Sequence, residues 1–292
     1  MKRKTEYRKI LKVGLPVLIA ILVIIFVFAA GNNDAVAYTQ IDNESTADMQ
    51  NKEIGTWRYK GQIENQSRII YNNIWGATDD EKKNETIKQY IYYKFNGSFG
   101  WEWDRPDPRD NYSVYVTPVF PEVLIGSRKE YSSTPYIPIQ LRYIDSLVGD
   151  VEYEYVKYPT GEYDLVYDIW IYDNISLKVT EVMIFITGGV SDISVGNVSD
   201  GINIYKYYFR SSDNKYNWNR NIFVLNDQNL YKKPVLLHHT VDMGKLFDYL
   251  IQSDKLDDNL SLFSIELGNE IWRGTGKIGI NKYVINLNNI SI

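Results

Sequence analysis

Two glutamates stand in surroundings where an idle charge would be costly. In Glu181-Val182-Met183-Ile184-Phe185-Ile186-Thr187 the acid heads a run with almost no other polar residue. Read as a strand, the run points successive side chains to opposite faces, so Glu181, Met183, Phe185 and Thr187 share one face and Val182, Ile184 and Ile186 the other. One is a core face. The other sets a carboxylate beside a thioether and an aromatic ring, a place an unpaired charge avoids unless it has a partner or a task. A second such stretch is Ser264-Ile265-Glu266-Leu267-Gly268-Asn269-Glu270-Ile271-Trp272. Alternation there gathers Glu266, Gly268, Glu270 and Trp272 on one face and Ile265, Leu267 and Ile271 on the other. Two carboxylates beside aromatic rings on a Tyr- and Trp-rich sheet are the groups used to cleave a glycosidic bond.

The elements that must position these acids are strands. Runs rich in β-branched and aromatic residues, bounded by turn residues, predict strands over 68–75, 89–94, 99–103, 112–118, 151–158 and 164–172. Others are predicted over 181–187, 202–210, 221–226, 261–272 and 283–288. Many short strands without alternating helices predict an all-β fold, a β-sandwich or jelly roll. One helix interrupts them: in 242–251 the apolar residues Met243, Leu246, Phe247, Leu250 and Ile251 follow helical spacing, with Asp242 placed to cap the N-terminus. That helix is expected to lie across the outer face of a sheet and lead into the Glu270 strand.

Composition narrows the chemistry. The 292 residues carry a net charge of -5 and no basic run beyond the first dozen residues, so the folded part offers no footprint for nucleic acid. Cysteine is absent, which removes disulfides, thiolate nucleophiles and thiolate metal sites. The only histidines, His238 and His239, are adjacent in a predicted strand and point to opposite faces, so no metal site is expected. Aromatics make up 14% of the chain, with 25 Tyr and 7 Trp, more rings than a core of this size needs; the surplus suits a surface on which sugars stack.

At the N-terminus, Lys2, Arg3, Lys4, Arg8, Lys9 and Lys12 precede an uncharged, mostly apolar run over 13–30. Its length falls between a cleavable signal and a spanning helix, and Ala35-Val36-Ala37 has the form of a cleavage site. Residues 1–37 are therefore expected to be a signal peptide or a membrane anchor, with cleavage after Ala37 favoured; either places the rest outside the membrane. Residues 38–55 read as a polar, flexible linker, and 56–292 as the catalytic domain. Asn-x-Ser/Thr sequons recur from Asn43 to Asn289, which suits an exported surface.

Four motifs occur in one order: Asn72-Asn73-Ile74-Trp75-Gly76, Tyr163-Asp164-Leu165, Glu181-Val182-Met183-Ile184-Phe185 and Gly268-Asn269-Glu270-Ile271-Trp272. Together they resemble glycoside hydrolase family 12, over roughly Thr56 to the C-terminus. The resemblance implies a concanavalin-like jelly-roll sandwich of two sheets with a concave substrate cleft. It implies a retaining endo-β-1,4-glucanase with Glu181 as nucleophile, Glu270 as acid/base and Asp164 as an acid supporting the nucleophile. Such a pair acts across about 5 to 5.5 Å, too close for an attacking water between them. Trp75 would then be a stacking platform for a sugar on the non-reducing side, Asn73 a hydroxyl partner and Met183 part of the floor. Phe185 and Trp272 stand where the family often has Trp and Phe, and are expected to shape the cleft, with Trp101 as a further binder. Glu266 reads as a structural acid. A β-glucan is the expected partner, no cofactor is implied, and a monomer is expected. Rival readings are a non-catalytic carbohydrate-binding or adhesion jelly roll, a related xylanase, and a structural envelope protein; neither the first nor the last has a use for two acids in these contexts.

Overall fold

The computed structural model describes residues 53–56, 62–65, 68–107, 117–128, 131–173, 179–213, 216–228 and 235–292. The expected leader or anchor, most of the expected linker and most of the strand expected over 112–118 lie outside the described residues. Among the described residues no helix is long and apolar enough to cross a membrane.

The strands in chain order are β1 (Glu53–Thr56), β2 (Gln62–Asn65), β3 (Arg68–Asn73), β4 (Lys88–Lys94), β5 (Phe99–Arg105), β6 (Phe120–Arg128), β7 (Tyr131–Ser132) and β8 (Ile139–Gln140). There follow β9 (Leu147–Lys157), β10 (Glu162–Tyr163), β11 (Leu165–Tyr172), β12 (Val179–Thr187), β13 (Gly196–Ser199) and β14 (Ile204–Arg210). The last five are β15 (Asn219–Leu225), β16 (Leu237–Asp242), β17 (Ser261–Gly268), β18 (Ile271–Leu287) and β19 (Ile290–Ser291). Two α-helices are described, α1 (Asp79–Lys83) and α2 (Met243–Gln252).

These strands form the expected two-sheet, all-β sandwich. One sheet has eight strands, in the order β1-β4-β5-β18-β9-β16 with β10 and β19 on β18. The other has eleven, in the order β13-β14-β15-β12-β11-β17-β6-β3-β2 with β7 on β6 and β8 on β17. The period-2 pattern sets which side chains lie between them. Ile125, Ile169, Ile184 and Ile265 of the larger sheet meet Trp101, Trp103, Tyr153 and Ile280 of the smaller in one buried cluster. The opposite face of the larger sheet carries its own apolar patch of Phe120, Val166, Met183, Phe185, Tyr208, Ile222 and Val224. That second patch is the floor on which the acids stand.

Two sequence expectations change. The predicted strand over 261–272 breaks at Asn269 and Glu270: β17 belongs to the larger sheet and β18 to the smaller, so Glu270 sits in the turn that crosses between them. Helix α2 does not lie on an outer face. Its Met243, Leu246, Phe247 and Leu250 join the inter-sheet core, and the helix packs on β9 of one sheet and β13 of the other, closing the end of the sandwich. Its cap is as expected, with Asp242 Oδ1 accepting from Lys245 N at 3.0 Å.

Helix α1 was not expected, although its signal is present. Thr78 and Glu81 form a reciprocal capping box: Thr78 Oγ1 accepts from Glu81 N at 3.1 Å and Glu81 Oε2 from Thr78 N at 2.7 Å. Glu81 also receives the buried Arg105, at 2.9 Å from Nε to Oε1 and 3.2 Å from Nη2 to Oε2. Arg105 Nη1 donates to the carbonyls of Thr117 at 3.0 Å and Ile271 at 2.7 Å, and Nη2 to that of Gly76 at 3.4 Å. One guanidinium thus ties α1 to the turn after Trp75 and to the residue after Glu270. Removing the cation leaves a carboxylate buried without its partner, so Arg105→Met is expected to lose about 3–5 kcal/mol of stability. Urea unfolding measures this, and Glu81→Gln added to Arg105→Met is expected to restore part of the loss.

Candidate active site

Strand register assembles the site on the floor face of the larger sheet. Glu181 heads the buried half of β12, opposite Trp170 on β11 and beside Arg220 on the parallel strand β15. Asp168 lies opposite Met183 on one side and Glu266 on the other, and Glu122 faces Gly268. Glu122, Asp168, Glu181 and Glu266 are all buried, so the face gathers acids from four neighbouring strands. Glu266 accepts locally, from Ser264 Oγ at 3.1 Å.

The turn carrying Glu270 is held from below. Asn269 Oδ1 accepts from Trp101 Nε1 at 2.7 Å, Asn269 Nδ2 donates to the Asp164 carbonyl, and Asn269 N donates to the Pro121 carbonyl at 3.3 Å. Gly268 is obligatory here for a steric reason: an added Cβ would lie 2.6 Å from the Pro121 carbonyl oxygen and 2.7 Å from the Phe120 ring. Asp164 completes the support. Its N donates to the Glu270 carbonyl at 3.0 Å and its Oδ1 accepts from Glu270 N at 3.2 Å.

The expectation that Asp164 supports Glu181 is corrected. Asp164 is hydrogen-bonded to Glu270, whereas the acid beside Glu181 is Asp168. The sequence holds the same pattern twice, Tyr163-Asp164-Leu165 and Tyr167-Asp168-Ile169, four residues apart. Only the second lies inside β11, where pairing with β12 brings it to Glu181.

Burial dominates the electrostatics. It lifts Glu270 first, the Glu181 charge lifts it further, and the bond with Asp164 and the positive charge of Arg210 oppose; the result is a carboxyl pushed up to about 8. Asp164 is raised by burial and then by Glu270. Asp168 is raised by burial and then by Glu181, Glu266, Glu270 and Glu122 in turn, which keeps it protonated and able to donate to Glu181. Glu181 is raised too, by burial, but four influences pull it back: the bond from Trp218, the charge of Arg220, the bond from Asp168 and the charge of Arg210. The arrangement favours a proton on Glu270 and a charge on Glu181, the division of labour that acid/base work with two carboxylates requires.

The remaining expected residues divide. Trp75 is exposed at 55%, presented by a turn whose Gly76 has no room for a Cβ, which would lie 2.0 Å from the Pro118 carbonyl oxygen. Asn73 is buried, donating through Nδ2 to Glu122 Oε1 at 3.2 Å and accepting at Oδ1 from Trp75 N at 3.0 Å, so it holds the platform in place. Met183 and Phe185 pack in the apolar floor. Trp272 lines a cavity of about 740 Å³ together with Asp164, Val190, Lys206, Tyr208 and Gln228. Trp75 follows β3 near one edge of the sheet and the cavity adjoins β14 and β15 towards the other, so they lie on opposite sides of Glu181. Trp101 is corrected: it is fully buried between the sheets and cannot meet a ligand, because alternation puts it on the core face with Trp103. Its task is to hold Asn269. Asp168 and Trp218 escaped the sequence reading; alternation along β11 was the available signal for the first, and nothing local marked the second.

No family model matches the chain. Among curated proteins, Endoglucanase S of Pectobacterium parmentieri is 28% identical over 241 residues, covering 76% of this chain and 83% of that protein. Among solved structures, a family 12 xyloglucanase from Bacillus licheniformis superposes with a TM-score of 0.66 at 21% identity, covering 81% of this chain and all of that one. Endoglucanase 3 of Trichoderma harzianum, from the same family, does so with a TM-score of 0.62 at 17% identity, covering 81% and 98%. The likeness to the solved structures is one of fold, and the likeness to Endoglucanase S one of sequence. The four motifs in order and the shared fold make this chain similar to the family 12 glycoside hydrolases.

Proposed function

We propose that the protein is an endo-β-1,4-glucanase that cleaves internal bonds of β-glucans with retention of configuration. The observation that carries the reading is the pair formed by buried Glu181 and half-buried Glu270, the charge of the first acting on the second, with surroundings that favour ionisation of one and protonation of the other. Glu181 attacks the anomeric carbon and forms a bond to it while Glu270 gives its proton to the departing glycosidic oxygen. Glu270, now ionised, takes a proton from water as that water attacks the same carbon, and the electron pair of the broken ester bond returns to Glu181. Asp168 donates to Glu181, and Asp164 steadies Glu270. Trp75 supplies a stacking surface on the non-reducing side, and the cavity beside Trp272 receives the leaving chain. Export by the N-terminal segment, cleaved or retained as an anchor, delivers the domain, as a monomer, to polysaccharide outside the cell.

The test is reducing-end release from mixed-linkage β-glucan, carboxymethyl cellulose, xyloglucan and xylan by the full chain. Short glucan oligomers are expected from the first three, and less or none from xylan. Trp75→Ala is expected to raise KM for soluble β-glucan about tenfold, the loss of roughly 1.4 kcal/mol of binding, with little change in kcat. A folded protein that binds glucan and cuts none would favour the carbohydrate-binding reading.

A further inference from the structure

The turn between β14 and β15 brings a residue from far along the chain onto the proposed nucleophile. Trp218 Nε1 donates to Glu181 Oε2 at 2.7 Å. The indole is held edge-on by Trp170 of β11, at 5.5 Å between ring centres, and by Tyr216 at 5.1 Å. Arg220, beside Glu181 in the parallel β12–β15 register, stacks on the Tyr216 ring at 4.1 Å and donates to Asp213 Oδ2 at 3.3 Å. Asp213 also closes the turn, its N donating to the Tyr216 carbonyl at 2.7 Å and its Oδ1 accepting from Tyr216 N at 2.8 Å. Trp218, Tyr216, Arg220 and Asp213 are therefore each fixed by another of the four, and the last link of the chain is the carboxylate.

We propose that Trp218 is a positioning residue for Glu181, with Arg220 as its electrostatic companion. The inference rests on the glycosidase reading above. Several carboxyl groups crowd Glu181: Asp168 of β11 bonds to it, Glu270 faces it from the turn, and Glu266 of β17 and Glu122 of β6 act on Asp168 behind it. Against these stand Arg220 of β15 and Arg210 of β14, the latter already paired with Asp192 at 2.5 Å. An indole N–H is a donor only and does not titrate, so it favours the ionised carboxylate at every pH. It also holds one oxygen, so that the rotor presents the other to the anomeric carbon. In the glycosyl-enzyme the held oxygen becomes the ester carbonyl and still accepts. When water attacks, the bond between the anomeric carbon and Glu181 breaks and the electron pair returns to a carboxylate whose charge the N–H stabilises. The water proton passes to Glu270.

The experiment compares the full-length parental chain with Trp218→Phe, which keeps a ring and loses the donor. Both are assayed on soluble β-glucan and on 2,4-dinitrophenyl β-cellobioside from pH 4 to 10. A hydrogen bond to a charged group supports a loss of roughly ten- to a hundredfold in kcat/KM. Removing a bond that favours ionised Glu181 moves the acid limb of the kcat/KM profile to higher pH, while the alkaline limb set by Glu270 stays in place. General loosening of the fold does not move one limb and spare the other. An unmoved acid limb in a folded variant overturns the inference. If Trp218→Phe does not fold, the indole 15N–1H resonance of Trp218 in the parental chain decides. It is expected to shift with pH at the midpoint of the acid limb, and again when a 2-deoxy-2-fluoro cellobioside traps Glu181; a resonance indifferent to both overturns the inference. A parental chain inactive on every glycoside would instead sink the glycosidase reading, and the resonance would still report whether the bond exists.

Discussion

Glu181→Ala is expected to lower kcat/KM for soluble β-glucan by about four orders of magnitude or more, because without the carboxylate no covalent intermediate forms. The residual chemistry carries the information. Given an activated substrate such as 2,4-dinitrophenyl β-cellobioside and added azide, the space left by the carboxylate admits the anion on the face that Glu181 occupied. Azide then bonds to the anomeric carbon as the bond to dinitrophenolate breaks, and the product is the α-cellobiosyl azide, of inverted configuration. Product analysis by NMR checks this. Formation of the β-azide, or a variant as active as the parent on β-glucan, would remove Glu181 from the nucleophile's role. The measurement also separates the enzyme reading from the binding-module reading, since a module with no chemistry yields no azide of either configuration.

Glu270→Ala is expected to separate substrates by their leaving groups. A sugar hydroxyl leaves poorly unless protonated, so activity on β-glucan is expected to fall about 10²- to 10⁴-fold. Dinitrophenolate leaves without a proton, so the first step on the aryl cellobioside survives and the glycosyl-enzyme accumulates as a burst. Azide here attacks the intermediate from the opposite face and gives the β-azide, the mirror of the outcome for Glu181→Ala. The pH profile offers an independent check. Burial and the neighbouring Glu181 charge push the Glu270 carboxyl up to about 8, so the parental kcat/KM is expected to decline as pH rises through that value and the acid loses its proton. The decline is expected to vanish in Glu270→Ala on the aryl substrate. If the alkaline limb persists there, another group supplies the proton.

The acid that pairs with each catalytic candidate shows where sequence reading stops. Asp164 and Asp168 stand in the same local pattern, both after a Tyr and before an aliphatic residue. Strand alternation assigns each a face but not the strand it will meet, and the β11–β12 register sends one to Glu181 while the inter-sheet turn sends the other to Glu270. Trp101 illustrates the same limit. Alternation correctly pairs it with Trp103, and both turn inward because the smaller sheet lies against the larger. Which face of a strand is covered is a property of the second sheet.

What the sequence by itself determined is what depends on residue type and local period. The period-2 runs specify the strands, Asp242 caps α2, and the motif order points to Glu181 and Glu270. Tertiary structure alone decided the rest. It set α2 between the sheets, cut the 261–272 run at the crossover, buried Trp101, placed Asp168 against Glu181 and carried Trp218 onto it from 37 residues away. The physical reason is that each of these depends on which distant strands pair and in what register. That choice is made by burying a shared apolar face over the whole sheet, and no short window of sequence contains it.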